Sequence, residues 1–260
     1  MTANNSFKLI DYLRSILAVC VFFLIFFIAT PCILILLLLS FGKLTNFIIK
    51  DVAPLMMKPV IAAAGLHFSI KQHGPPVEQP VVYVTNHSST IDLVTVLALG
   101  LPRVRFVAKW ELQYNPIFFL LGRLTGQVFI KRQKSERAVE TLQKSYARIN
   151  RKNLSVLMAP EGSRKHEGII GPFKKGPFRM AMDLGYPIVP IFFEGNRAIS
   201  SDGSLVFKSG HATAHIYPPV DTSGWSIETL DDHIREIRHR YLGWAGVKND
   251  TVEKQIKNKS

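Results

Sequence analysis

Cysteine, acid and any nucleophile signature are scarce in this chain, and each shortage narrows what it can be. Only two cysteines occur, Cys20 and Cys32, both inside an apolar run near the N-terminus. A disulfide framework and a four-ligand zinc site are therefore excluded, and redox chemistry is not expected. No Gly-x-Ser-x-Gly appears, so the tight elbow that presents a catalytic serine is absent. His211 and His215 would share one face of a strand, but no third ligand stands at metal-like spacing, and no metal is expected. Helix-turn-helix, zinc and ribonucleoprotein signatures are missing too, which argues against a nucleic-acid partner. There is no internal repeat, low-complexity tract or long linker, and hence no sign of a second globular domain.

The shortage of acid leaves a strong positive balance. Lys and Arg number 32 against 19 Asp and Glu, a formal charge of +13. Such a surface favours polyanions: nucleic acid, anionic lipid or a phosphorylated substrate. The tail Lys248 to Ser260 holds four lysines and two acids, so most of the excess belongs to the folded body.

What is abundant is apolar sequence at the N-terminus. From Ile16 to Leu39 every residue is apolar except Thr30 and Pro31. As straight helix this stretch would span roughly 36 Å, more than the ~30 Å hydrocarbon core of a bilayer. It is too long for the apolar region of a cleaved signal peptide, and no small-residue cleavage site follows. Membrane lipids are therefore an expected partner. Pro31 would kink or split the helix into two pieces. Leu44, Phe47, Ile48, Val52, Leu55 and Met56 then recur at helical spacing with Lys43, Lys50 and Lys58 interspersed, which suits an interfacial helix with snorkelling lysines.

After Gly65 short β-rich runs alternate with helical patterns, predicting an α/β domain with a mixed or parallel sheet covered by helices. Strands are expected at Phe68–Ile70, Val81–Thr85, Val104–Ala108, Gln127–Ile130, Leu154–Met158, Ile188–Phe193, Leu205–Phe207 and Ala212–Tyr217. Helices are expected at Ile91–Leu99, Pro116–Leu121, Arg137–Ile149, Phe178–Leu184 and Ile227–Tyr241. The organisation that follows is an N-terminal membrane anchor with N-terminal membrane-binding or transmembrane helices over 1–64, the α/β domain over 65–245, and a charged tail over 246–260.

Three strand ends carry chemistry. The apolar run Val81-Val82-Tyr83-Val84 leads into Asn86-His87-Ser88-Ser89-Thr90-Ile91-Asp92, placing His87 on a strand-to-helix turn, where active residues are favoured. If a helix starts near Ser89 or Thr90, Asp92 in its first turn can fix the imidazole tautomer, leaving the other ring nitrogen free as a general base. Ser89-x-x-Asp92 equally fits a capping box, in which Asp92 only satisfies backbone donors. Taken alone, the pair favours the capping box. The second cluster, Ala159-Pro160-Glu161-Gly162-Ser163-Arg164, follows an apolar strand. It is either a solvated turn or an arginine fork for phosphate with Glu161 orienting it. The third, Gly126-Gln127-Val128-Phe129-Ile130-Lys131-Arg132, runs a strand into two cations.

Together these segments resemble the glycerophospholipid acyltransferases, best known as lysophosphatidic acid acyltransferases. The resemblance rests on Asn-His-x-x-x-x-Asp at Asn86 to Asp92 and Gly-x-x-Phe-Ile-x-Arg at Gly126 to Arg132. It rests also on Glu-Gly-Ser-Arg at Glu161 to Arg164 and Ile-Val-Pro-Ile at Ile188 to Ile191, and it covers roughly Leu66 to Glu194. The family commonly has Phe-Pro-Glu-Gly-Thr-Arg in the third motif, where Ala159 and Ser163 stand here.

The resemblance implies that His87 deprotonates the acceptor hydroxyl and that Asp92 orients it. It implies that Arg132 and Arg164 bind the acceptor phosphate with help from Lys131, Glu161, Gly162 and Ser163, and that Pro190 shapes the wall of the site. Lys109 is either a further phosphate or coenzyme A contact or a plain surface lysine. The implied donor is acyl-CoA or acyl carrier protein, the acceptor a lysophospholipid, most simply lysophosphatidic acid, and no cofactor is implied. Other lysolipids, a lyso-aminolipid or glycerol phosphate are alternative acceptors. Because acyl donors are cytosolic, the catalytic domain is expected on the cytosolic side of a membrane, the inner one in a bacterium. A membrane-tethered basic binding protein, with His87 and Asp92 structural, is the reading from a different class.

Overall fold

The computed structural model describes residues 7–78, 80–87, 89–130, 136–162, 169–200 and 204–247, without the side chains of 136–142. Lys131, Arg132, Ser163 and Arg164 lie outside the described residues, as does most of the expected tail.

The N-terminal apolar run forms one helix, α1 (Leu9–Leu39). At 1.5 Å per residue it extends about 46 Å, and it is long and apolar enough to cross a membrane. The expected split at Pro31 does not occur, because the helix continues on both sides of the proline. Cys20 and Cys32 lie on its exposed surface. A short helical turn α2 (Thr45–Phe47), a π turn Ile48–Val52 and α3 (Ala53–Ala63) follow, with Lys43, Lys50 and Lys58 exposed as the pattern required.

Seven strands make a mixed sheet: β1 (Leu66–Gln72), β2 (Val82–Thr85), β3 (Val104–Lys109), β4 (Val128–Ile130), β5 (Ser155–Met158), β6 (Ile188–Glu194) and β7 (Gly210–Ile216). Their order is β1-β7-β6-β2-β5-β3-β4. All neighbours run parallel except β6 and β7. The helices between them are α4 (Asp92–Ala98), α5 (Pro116–Thr125), α6 (Glu136–Arg151), α7 (Gly176–Leu184), α8 (Asn196–Ile199) and α9 (Leu230–Trp244).

Central parallel strands are buried on both faces and so read as continuous apolar runs rather than alternating ones. On one face Val82, Val84, Val156 and Ile188 pack with Phe178 of α7 and Ile237 and Tyr241 of α9. On the other, Val81, Tyr83, Leu157, Val189 and Ile191 pack with Ile49, Leu99 and Leu101. The α9 helix is pinned to β2 by the buried Tyr241 hydroxyl, which donates to the Val84 carbonyl at 2.6 Å. Burial pushes that phenol well above its ordinary pKa.

One expected strand is corrected. Residues Leu205–Phe207 are irregular. Phe207 is buried with Ala18 of α1, Val60 of α3 and Ile91, and its backbone N–H donates to Ser15 Oγ at 2.7 Å. The apolar residues there anchor a loop to the N-terminal helix, and its N–H is taken by a side chain instead of a neighbouring strand.

Candidate active site

Four adjacent parallel strands, β2, β5, β3 and β4, end at the same edge of the sheet, and open α/β sheets bind ligands beyond the carboxyl ends of their strands. At the end of β2, Asn86 is buried and clamps β6: its Oδ1 accepts the Phe193 N–H at 2.7 Å and its Nδ2 donates to the Phe193 carbonyl at 3.1 Å. The chain can then leave the sheet without an unpaired backbone group, and the next residue, His87, turns toward solvent.

The imidazole Nδ1 of His87 lies 2.9 Å from Asp92 Oδ2. A carboxylate only accepts, so the tautomer this contact selects for a neutral imidazole carries its proton on Nδ1 and a lone pair on Nε2. The same Oδ2 accepts the Ser89 N–H at 2.9 Å. Helix α4 begins at Asp92 itself, which brings residues five apart within reach. The expected capping box at Ser89 is not formed, since the N-cap is Ile91 without a side-chain cap, but the buried oxygen that meets His87 still satisfies the Ser89 backbone donor.

Asn196, unforeseen in the sequence, completes the arrangement. Fully buried at the start of α8, it donates through Nδ2 to Asp92 Oδ1 at 2.8 Å and to Thr95 Oγ1 at 2.9 Å. It reaches that position through Gly195, whose φ of +86° and approach to the His211 carbonyl leave no room for a side chain: a Cβ would stand 2.2 Å from that oxygen. Both carboxylate oxygens of Asp92 are therefore held by donors, and its orientation toward His87 is fixed.

Glu161, after β5, is also buried. Its Oε1 accepts the His87 backbone N–H at 2.8 Å and its Oε2 accepts the Gly171 N–H at 2.9 Å. The Gly171 carbonyl in turn accepts from Arg238 Nε at 2.8 Å, and burial lowers the pKa of that guanidinium. Gly162 follows with φ +65°, and a Cβ there would sit 3.0 Å from Lys174 Nζ.

A cleft of about 340 Å³ opens at this edge, lined by His87, Lys109, Gly162 and Lys174 among others. Lys109 therefore lines the same cleft as His87, and so does Lys174, noticeable in the sequence only as one of many cations. Ile130, which precedes Lys131 and Arg132, and Gly162, which precedes Ser163 and Arg164, both line the cleft. Pro190 does not: it lies mid-strand in β6, paired with Val84. A second, almost wholly apolar cavity of about 410 Å³ lies between α1, α3, α4 and α5, and Ala108 lines both it and the cleft. Elsewhere His215 Nδ1 meets His73 Nε2 at 2.8 Å and its Nε2 meets Glu194 at 2.9 Å. Among the described residues no group of three or more metal-ligating side chains is arranged for an ion.

Fold and site together define a class: an α/β protein with an oriented imidazole at the carboxyl edge of its sheet, in a cleft that Lys109 and Lys174 also line and that meets an apolar cavity at Ala108. A family model described as Acyltransferase matches residues 66–194. The chain is 31% identical over 198 residues to a 1-acyl-sn-glycerol-3-phosphate acyltransferase from Haemophilus influenzae, covering 73% of this chain and 75% of that one. It is 30% identical over 190 residues to the human 1-acyl-sn-glycerol-3-phosphate acyltransferase alpha, covering 72% of this chain and 67% of that one. The relative from Limnanthes douglasii, 31% identical over 161 residues, is matched over 62% of this chain and only 57% of its own length. The crystal structure of the 1-acyl-sn-glycerophosphate acyltransferase PlsC from Thermotoga maritima superposes with a TM-score of 0.66 at 24% identity, covering 90% of this chain and 98% of that one, so the two share a fold. This chain belongs to the acyltransferase family that includes the 1-acyl-sn-glycerol-3-phosphate acyltransferases.

Proposed function

We propose that this protein is an O-acyltransferase that moves a fatty acyl chain from a thioester donor to the free hydroxyl of lysophosphatidic acid, giving phosphatidic acid. The observation that carries the reading is His87, held through Nδ1 by Asp92 and lining, with Lys109 and Lys174, a cleft that shares a wall with an apolar cavity. An alcohol attacks a thioester poorly unless its proton leaves during attack, and a positioned base supplies about 10²–10⁴-fold. Here Nε2 of His87 takes that proton as the new C–O bond forms. The imidazolium returns it to the departing thiolate when the C–S bond breaks.

Glu161 fixes the His87 backbone, while Arg132, Arg164, Lys131, Ser163 and Gly162 hold the acceptor phosphate together with Lys109 and Lys174. The apolar cavity takes an acyl chain. The donor is acyl-CoA or acyl carrier protein, and no further cofactor is required. The membrane anchor places the cleft where lysolipid partitions, with the catalytic domain on the cytosolic side; anchor, catalytic domain and tail correspond to 1–64, 65–245 and 246–260.

The test is a panel of labelled acyl-CoA and acyl carrier protein donors against lysophosphatidic acid, lysophosphatidylcholine and glycerol 3-phosphate, using purified full-length protein in neutral micelles. Lysophosphatidic acid is expected to be acylated fastest, and His87→Ala to lower that rate at least about a hundredfold. Preference for another acceptor would overturn the substrate, and wild-type turnover by the variant would remove the base.

A further inference from the structure

A third cavity, of about 200 Å³, lies away from the catalytic cleft, between the turn after α1, the start of β3, and the ends of α5 and α6. Arg105, Arg123, Arg148 and Lys152 all line it. Among the described residues no carboxylate forms an ion pair with any of the four. Arg123 and Lys152 are exposed, but Arg105 is buried and Arg148 half-buried, and buried charges in proteins are ordinarily paired, because an isolated one forfeits its hydration.

Two of these cations are also short of hydrogen-bond acceptors. Arg105 is only 6% exposed. Its Nη1 donates to Asn46 Oδ1 at 3.1 Å and to the Val104 carbonyl at 2.8 Å, yet its Nε is buried with no acceptor. Arg148 donates through Nη2 to the Gly126 and Gln127 carbonyls at 3.0 and 3.2 Å, and its Nε is likewise buried and unpaired. A buried donor left unmade costs about 1–3 kcal/mol, more for a charged group. Burial, and then the Arg148 and Arg103 charges, lower Arg105 to about 10. Burial, and then Arg123, lower Arg148.

We propose that this cavity is a second anion site, built to receive a phosphate group and separate from the catalytic cleft. An anion there supplies the counter-charge that the four cations lining the cavity lack. Guanidinium forks suit the several oxygens of a phosphate better than those of a single-point ligand. The volume is several times the ~30 Å³ share of one water molecule, enough for a phosphate but not for a whole lysolipid.

The position separates the two sites. Arg105 stands near the start of β3 and Lys109 at its end, four residues or roughly 13 Å apart along the strand. Phe41, which lines the cavity, is 90% exposed, and Phe47, six residues further along the chain, is exposed too. The phosphate of an anionic lipid headgroup would enter beside apolar residues at the end of α1. A soluble phosphate satisfies the same donors, and the two sources are separable by experiment.

The full-length protein in neutral detergent is titrated with dihexanoyl phosphatidic acid, dihexanoyl phosphatidylcholine and inorganic phosphate at matched ionic strength, following thermal unfolding. The Arg123→Gln/Lys152→Gln variant and Arg105→Met are run beside the wild type, with Arg164→Gln controlling for phosphate bound in the catalytic cleft. Stabilisation by phosphatidic acid is expected to survive in Arg164→Gln and to require at least tenfold more ligand in the double variant. A lipid-only response assigns the site to a headgroup, whereas an equal response to inorganic phosphate assigns it to the free anion; either supports a phosphate site. Identical titrations for wild type and double variant would overturn it. So would an Arg105→Met protein more stable than wild type at saturating concentrations of every probe.

Discussion

The carboxylate of Glu161, in the turn after β5, accepts the backbone N–H of His87 after β2 at 2.8 Å, and its second oxygen accepts the N–H of Gly171. Both bonds are charge-assisted, the first half-buried and the second buried, so each contributes about 1.5–3 kcal/mol. Glu161→Gln turns one acceptor oxygen into an NH₂ group facing an N–H. The expected result is a lower melting temperature and a lower kcat, with KM for the acceptor little changed. A large rise in KM at constant kcat would instead assign Glu161 to the acceptor phosphate.

Asp92 is held more tightly than a dyad alone requires, since His87, Ser89 and Asn196 all donate to it. Asp92→Asn must point an NH₂ group at one of these donors and loses the charge that supports an imidazolium. Turnover should fall at least about a hundredfold. Asn196→Ala should cost about 1.5–3 kcal/mol of stability with a smaller loss of kcat than Asp92→Asn. Equal kcat losses from the two variants would mean that Asn196 acts on the reacting atoms directly.

Gly122 packs beneath the Phe129 ring, where a Cβ would lie 2.3 Å from Cε2. Both residues line the apolar cavity. Gly122→Ala must displace the ring, at about 1–3 kcal/mol for an overpacked core. Rates with long acyl donors should drop more than rates with short ones. A loss independent of chain length would place the acyl chain elsewhere.

Lys109 and Lys174 contribute charge to the cleft without touching the dyad in any described hydrogen bond. Lys174→Met should raise KM for lysophosphatidic acid severalfold with a modest effect on kcat, and the difference from wild type should shrink at high salt, as screening demands. Steady-state kinetics at two ionic strengths check this. An unchanged KM would remove Lys174 from acceptor binding.

The sequence made some of this architecture readable and hid the rest for physical reasons. The strand before His87 was legible because a doubly buried strand has no polar residue to interrupt Val81 to Val84, and the turn after it had to carry the polar groups. The position of Asp92 was legible, but its double duty was not. Whether an oxygen has one donor or two depends on where α4 begins, and helix boundaries are poorly marked by pattern. Asn196 was invisible because it lies 104 residues from Asp92, and only sheet topology brings β6 beside β2. Its one local signal was Gly195, a glycine directly after the apolar strand β6. Leu205–Phe207 was misread because apolar residues that fasten a loop look the same as those that build a strand.

That loop changes what the N-terminal helix is for. Ser15 and Ala18 of α1 share a buried cluster or a hydrogen bond with Phe207, and the same cluster holds Ile91, the residue immediately before Asp92. The helix that meets lipid is thus also a wall of the catalytic core, and the two cannot be parted cleanly. A chain cut at Gly65 would not be a soluble enzyme relieved of its tether. It would be a domain with an open seam along Leu66, Ile91, Ile199 and Phe207, one residue from the carboxylate that orients His87.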